Sequence, residues 1–101
     1  MVLTAVADTG TVHRLARSLV RQRLAACVTV SPGAVSHYRW KKKFERSREV
    51  LLLIKTNRRS WPKLLRFLRK HHPYELPEVL ALPVALGAGD YLSWLDGCLK
   101  K

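Results

Sequence analysis

The chemically richest stretch of this chain is residues 71–78, which read His-His-Pro-Tyr-Glu-Leu-Pro-Glu. It brings two imidazoles, two carboxylates and a phenol together between one apolar-periodic segment and the next. Proline fixes its own φ and disfavours helix at the residue before it, so we predict a stiff connection. Imidazole and carboxylate are common transition-metal ligands, and histidine titrates near neutral pH. The stretch is therefore either a functional site or a structural corner.

The elements that position this stretch follow from hydrophobic periodicity. Residues 2–7 predict a strand, and a helix follows, capped by Asp8, Thr9 or Thr11. Residues 25–30 predict a second strand that residues 31–33 bend and that runs on to residue 40. The lysines at 41–43 predict a hairpin tip, and the chain returns to residue 54. Residues 50–54 are continuously apolar, which predicts a central strand buried on both faces.

The second half of the chain repeats this pattern. Ser60 is predicted to cap another helix, which ends at the His-Pro dipeptide. Residues 79–86 predict a strand, with Pro83 implying an edge, and Asp90 is predicted to cap a last helix. That helix carries Tyr91, Trp94, Leu95 and Cys98 on one side.

The order β-α-β-β-α-β-α predicts an α+β fold of the ferredoxin-like type. It is an antiparallel βαββαβ sandwich with an additional C-terminal helix, and the first two helices cover one sheet face. The other sheet face is predicted to be apolar and open, and chains of this size usually bury such a face in an oligomer.

Size and composition limit the class of protein. With 101 residues we predict a single domain, 1–101, and 48% apolar residues exclude a disordered chain. No apolar run reaches the ~18–20 residues that cross a bilayer, and no basic residue precedes the apolar start, so we expect a cytoplasmic protein. Cys27 and Cys98 lie outside any C-x-x-C pair and are interpreted as small buried hydrophobes rather than as a disulfide.

The net charge is unusually high, with 19 Lys and Arg against 7 Asp and Glu, or +12. Such a charge attracts polyanions without specificity, and we expect that binding to be lost as salt rises. A specific RNA-binding role is not favoured, because the central run 50–54 lacks aromatic residues. No nucleophile elbow, phosphate loop or zinc-protease motif occurs, so the chain is not expected to be an enzyme.

The motifs together resemble the CutA family of divalent-cation tolerance proteins. The resemblance covers nearly the whole chain in the right order. The segments that carry it are Leu24-Ala25-Ala26-Cys27-Val28, Pro32-Gly33, Tyr38-x-Trp40, Glu49-Val50-Leu51, Ile54-Lys55-Thr56, His72-Pro73-Tyr74-Glu75-x-Pro77-Glu78, Ala81-Leu82-Pro83-Val84 and Tyr91-Leu92-x-Trp94-Leu95.

The resemblance implies a homotrimer akin to the PII signalling proteins and a link to copper or other divalent cations. It implies metal ligands at His71 and His72, with Glu78 as a further candidate acid. Two departures matter. Thr4 stands where some members have a ligand cysteine, and Lys42 stands where a glycine is usual, so that Lys42 is expected at a positive φ.

Each candidate residue also has a structural interpretation. His71 and His72 are also explained as residues that end a helix, where a partly positive ring favours the negative terminus. Tyr74, Glu75 and Glu78 are interpreted either as partners of arginine or as contacts for a small effector in an inter-subunit cleft.

Overall fold

The computed structural model describes residues 1–100 and contains four strands and three helices in that range. They are β1 (Val2–Val6), α1 (Thr9–Arg21), β2 (Cys27–Trp40), β3 (Lys43–Lys55), α2 (Trp61–His71), β4 (Leu80–Ala81) and α3 (Gly89–Gly97), with a 3₁₀ turn at Arg58–Ser60 before α2. The strands form one sheet in the order β2-β3-β1-β4, and each pair is antiparallel. The predicted α+β ferredoxin-like fold is confirmed, with β3 at the centre.

The helices α1 and α2 bury apolar stripes against a single face of the sheet. From α1 the stripe is Val12, Leu15 and Leu19, and from α2 it is Leu64 and Leu68, all at helical spacing. They pack against Val2, Val6, Val50, Leu52 and Ile54, which alternate along β1 and β3. This set forms the hydrophobic core.

The helix caps are partly as predicted. The Asp8 carboxylate accepts a hydrogen bond from the Thr11 amide at 2.9 Å, so Asp8 is the cap of α1 among the three proposed residues. Ser60 holds the cap position of α2, but its hydroxyl makes no capping bond. Instead Asn57 Oδ1 accepts from the Ser60 amide at 3.0 Å and closes the 3₁₀ turn. The prediction of a Ser60 side-chain cap was wrong. The 3₁₀ turn Arg58–Ser60 precedes α2, and the side chain that caps it is Asn57.

The second face of the sheet is less covered, and we call it the open face. It carries the odd-numbered residues of β1 and β3, in which Leu3 lies opposite Leu53 and Ala5 opposite Leu51. Leu51 and Leu53 are half-buried, whereas their neighbour Leu52 on the core face is fully buried. In one copy of the chain the central strand is therefore sealed on one face only, and the prediction of burial on both faces is not met within that copy.

A bulge in β2 decides which side chains of the hairpin reach the open face. The pairing shifts between Ser31 and Ala34, and Gly33 has a φ of +84° that suits glycine. The extra residue changes the alternation, so that even-numbered residues of β2 share the open face beyond it. Tyr38 and Trp40 reach that face for this reason.

The hairpin tip is strained in the way predicted from the sequence. Trp40 pairs with Lys43, which leaves a two-residue turn in which Lys41 has a φ of 51° and Lys42 a φ of 68°. Turns with positive φ at both positions strongly favour Asn and Gly. Lys42 at the usual glycine position therefore adopts the left-handed region at a cost.

We expect Lys42→Gly to raise the free energy of unfolding by about 0.5 kcal/mol. Relief of the left-handed strain exceeds the added flexibility of the unfolded chain. Urea unfolding measures it, with Lys43→Gly as a control that removes the same charge from a strand and lowers stability by roughly 0.5–1 kcal/mol. A Lys42→Gly variant no more stable than the parent would contradict the strain.

The C-terminal part departs from the prediction. Only Leu80–Ala81 form a strand instead of residues 79–86. Leu82 still exchanges two hydrogen bonds with Met1, at 2.8 and 2.9 Å, but Pro83 has no amide hydrogen to continue the ladder. The last helix starts at Gly89 with Ala88 as its N-cap, not at Asp90, and it buries none of its own side chains. Cys98 and Cys27 are free thiols of intermediate exposure rather than buried ones.

Exposed apolar side chains concentrate in residues 76–94, which we call the C-terminal apolar segment. Leu86 is 91% exposed and Trp94 51% exposed. Its other exposed members are Leu76, Leu80, Leu82, Val84, Tyr91 and Leu92. Within the described residues, no helix has both the length and the hydropathy that a membrane span requires.

Candidate functional site

His72 is a buried, hydrogen-bonded residue at the end of α2. Only 7% of it is exposed. The Tyr74 amide donates to Nδ1 at 3.1 Å, so Nδ1 carries no proton, and Nε2 therefore donates to the Ala5 carbonyl at 3.0 Å. Burial lowers the pKa of His72, and the hydrogen bond to Ala5 and the charge of Glu49 oppose that shift only in part. His72 is thus held as a neutral tautomer that ties the 71–78 loop to β1.

His71 faces the other way. It is the last residue of α2 and is exposed, and its ring lies on Phe67 with the centroids 4.5 Å apart. One imidazole therefore lies inside the chain and the other in solvent, as adjacent residues leaving a helix would do. Among residues 1–100, no group of three or more His, Cys, Asp and Glu side chains is arranged to hold a metal ion. Metal binding through His71 and His72 stays a prediction.

Thr4, at the position where some related proteins have a cysteine, lies in the core. It is fully buried in β1, opposite Leu52 on the core face. Its hydroxyl has no hydrogen-bond partner among the described residues. A hydroxyl is a poor ligand for soft metals, and this one faces packed leucine rather than solvent.

Glu49 is the candidate-site residue that the sequence analysis did not single out. It lies on the open face of β3, only 9% of it is exposed, and the Tyr74 hydroxyl donates to its Oε2 at 2.7 Å. Burial, followed by the hydrogen bond to Glu49, raises the pKa of Tyr74 far above its usual value, so the phenol stays protonated. The available signal was the alternation itself, because Glu49 precedes Leu51 and Leu53 on an apolar face.

A cavity of about 760 Å³ lies between the β2–β3 hairpin and residues 74–78. Three of the chain's seven acidic residues line it, together with three aromatic rings. The Tyr38 and Ser47 hydroxyls are hydrogen-bonded at 2.7 Å on its wall. The lining residues are Ala5, Ala7, Ser36, His37, Tyr38, Trp40, Ser47, Glu49, Tyr74, Glu75, Leu76 and Glu78.

The loop carboxylates have few partners within one copy. Glu75 Oε2 lies 4.0 Å from Lys41 Nζ, with both side chains more than two-thirds exposed. Such surface pairs contribute little to stability. Glu78 makes no salt bridge within residues 1–100. The predicted pairing with arginine is therefore not found within residues 1–100, where Glu75 meets a lysine instead, and pairing with an arginine of a neighbouring copy stays a prediction.

The fold and the 71–78 loop define a small α+β protein with a ferredoxin-like sheet. The model of the "CutA1 divalent ion tolerance protein" family matches residues 1–98, and the chain belongs to that family. It is 46% identical over 100 residues to the divalent-cation tolerance protein CutA of Pectobacterium atrosepticum, covering 99% of this chain and 91% of that one.

Solved structures of related proteins agree closely in fold. The divalent cation tolerance protein of Thermus thermophilus superposes with a TM-score of 0.95 at 41% identity, covering 98% of this chain and 96% of that chain. CutA1 from Oryza sativa gives 0.95 at 37% identity, covering 99% and 92%.

Proposed function

We propose that this chain is a homotrimeric, non-catalytic divalent-cation tolerance protein that binds Cu²⁺ or another divalent ion weakly through His71 and His72. The observation that carries the metal proposal is the exposed imidazole of His71, which makes no hydrogen bond within residues 1–100. Imidazole binds Cu²⁺ more strongly than the other divalent first-row ions. Because His72 must first release Tyr74 or Ala5, it is the secondary ligand, and the site is weak.

The trimer proposal is supported by apolar surface that one copy leaves uncovered. The open face carries half-buried Leu51 and Leu53, and the C-terminal apolar segment lies alongside it through Leu80, which pairs with Leu3. Three copies at +12 each carry 3 × 12 = +36, a charge that opposes association. A large apolar interface is needed to offset that repulsion.

We expect His71→Ala to weaken Cu²⁺ binding about tenfold or more, because it removes the exposed imidazole of the proposed site. Titration of the metal-free protein with Cu²⁺, followed by calorimetry or native mass spectrometry, measures it. His13→Ala is the matched control, since His13 is also exposed on a helix and its loss is expected to change little. Equal affinity in the His71→Ala and His13→Ala variants would remove His71 from the site.

A second candidate function is that of a PII-like module that binds a small effector in a cleft. The cavity lined by Glu49, Tyr74 and Trp40 favours it, because ligand pockets commonly have about this volume. This function needs no metal. Effector binding that is unchanged by His71→Ala would separate it from the first.

A further inference from the structure

We propose that the cavity between the β2–β3 hairpin and residues 74–78 binds a small organic cation with a guanidinium or primary ammonium group, and that Glu49 is its counter-charge. The proposal rests on the second candidate function and names the class of ligand that the cavity takes. It does not involve His71.

The first argument is the unbalanced charge of Glu49. Residue Glu49 is about nine-tenths buried, and the only hydrogen-bond partner of its carboxylate within residues 1–100 is the neutral Tyr74 hydroxyl. No lysine, arginine or histidine lies within 4 Å of it, although the chain has 19 Lys and Arg. A buried carboxylate is costly unless a cation or several donors offset its lost hydration. A cation in the cavity would supply what the chain itself does not.

The second argument is the aromatic lining of the cavity. Tyr38, Trp40 and Tyr74 all contribute to its wall. Ring faces attract cations, most strongly where water is displaced, and tryptophan is the best of them. The bulge at Gly33 directs Tyr38 and Trp40 to the same face as Glu49. The bulge in β2 therefore places the two aromatic rings beside the buried acid, at the same cavity.

The third argument is that an ammonium group of the chain already occupies the rim. Lys41 Nζ lies 5.6 Å from the centroid of the Trp40 ring and 4.0 Å from Glu75 Oε2. It therefore makes at the edge the two contacts that we assign to a ligand deeper inside. Its side chain is 71% exposed, so a tighter cation can displace it.

The volume and the donors favour an organic cation over a bare metal ion. A space of about 760 Å³ is far larger than an ion needs and lies in the range of small-molecule pockets. No metal-holding group of three donors exists within residues 1–100, and Tyr74 occupies one oxygen of Glu49. The net charge of +12 repels cations at long range, but salt screens it beyond about 10 Å. Within that distance the negative charges of Glu49, Glu75 and Glu78 determine the attraction of a cation to the cavity.

The test compares ethylguanidinium with ethylurea, which has nearly the same shape and no charge. We expect ethylguanidinium to shift the indole N–H resonance of Trp40 in a saturable way, and ethylurea to bind at least tenfold more weakly. Glu49→Gln is expected to weaken ethylguanidinium binding at least tenfold, since the amide can still accept from Tyr74 but has no charge. Glu45→Gln is the control, because Glu45 is exposed on the same strand, does not line the cavity, and its loss changes the net charge equally.

A second variant guards against a folding defect in Glu49→Gln. Glu78 is exposed at the cavity, so Glu78→Gln is expected to keep the fold and to weaken ethylguanidinium binding a few-fold. Equal binding of both compounds would overturn the cation chemistry and leave an effector cavity standing. If neither compound binds at millimolar concentration, both the cation chemistry and the effector cavity are overturned. A further outcome is that ethylguanidinium binds only when the copies are separated, as in the Leu53→Glu variant described below. That result would mean that a lysine or arginine of a second copy fills the cavity in the assembly, and it would overturn the proposal of a small-molecule ligand.

Discussion

Leu53→Glu is expected to convert the proposed trimer into a monomer, the largest single effect we anticipate. Leu53 lies at the centre of the open face, between Thr29 of β2 and Leu3 of β1. In a trimer built on this face, each copy would bury one unpaired carboxylate. Such a charge costs several kcal/mol, and every 1.4 kcal/mol changes an association constant tenfold. Sedimentation velocity at low micromolar concentration measures the outcome.

Val35→Glu is the matched control for that experiment. Val35 is 43% exposed and, beyond the bulge, lies on the other face of the same sheet. Both substitutions lower the net charge by one unit, so both reduce the long-range repulsion between copies equally. We expect Val35→Glu to remain assembled. A Leu53→Glu protein that also remains assembled would show that the open face is not the interface.

The parts of the fold that the sequence predicted well are those that local patterns determine. The apolar spacing of α1 and α2 needs no knowledge of distant residues, and the run at 50–54 identified the central strand correctly. The positive φ of Lys42 was expected from the glycine usual at that position in the family, and it fits the two-residue turn that the structure shows. In each case the signal and the structure lie within a few residues of each other.

The parts that the sequence could not give depend on distant partners. Residues 82–86 have strand-like composition, but past Leu82, which bonds to Met1, they find no strand partner among the described residues. The apolar helix α3 buries nothing within its own copy, which its spacing alone does not reveal. Glu49 escaped notice because its significance lies in Tyr74, 25 residues further on. The His71–His72 pair was visible, but which ring turns inward depends on Ala5 of β1.

His72→Ala is the second large effect, and it acts on stability. It leaves the Ala5 carbonyl and the Tyr74 amide without their partners and opens a cavity beside β1. Each unsatisfied buried group costs about 1–3 kcal/mol, so we expect a loss of about 2–4 kcal/mol in the free energy of unfolding. Urea unfolding at one fixed protein concentration measures it. His71→Ala, at the exposed neighbour, is expected to change stability by less than about 0.5 kcal/mol.

The same residue makes the stability depend on pH in a defined direction. Burial lowers the pKa of folded His72 below the value near 6.5 of the unfolded chain. Between these two values the unfolded state binds more protons, so stability is fully present above about pH 6.5 and falls as the pH drops toward the folded pKa. The difference in unfolding free energy between the parent and His72→Ala should therefore shrink on going from about pH 7.5 to about pH 5.5. A difference that stays constant or grows would mean that His72 is protonated in the folded protein, and the tautomer assigned from the Tyr74 and Ala5 contacts would be wrong.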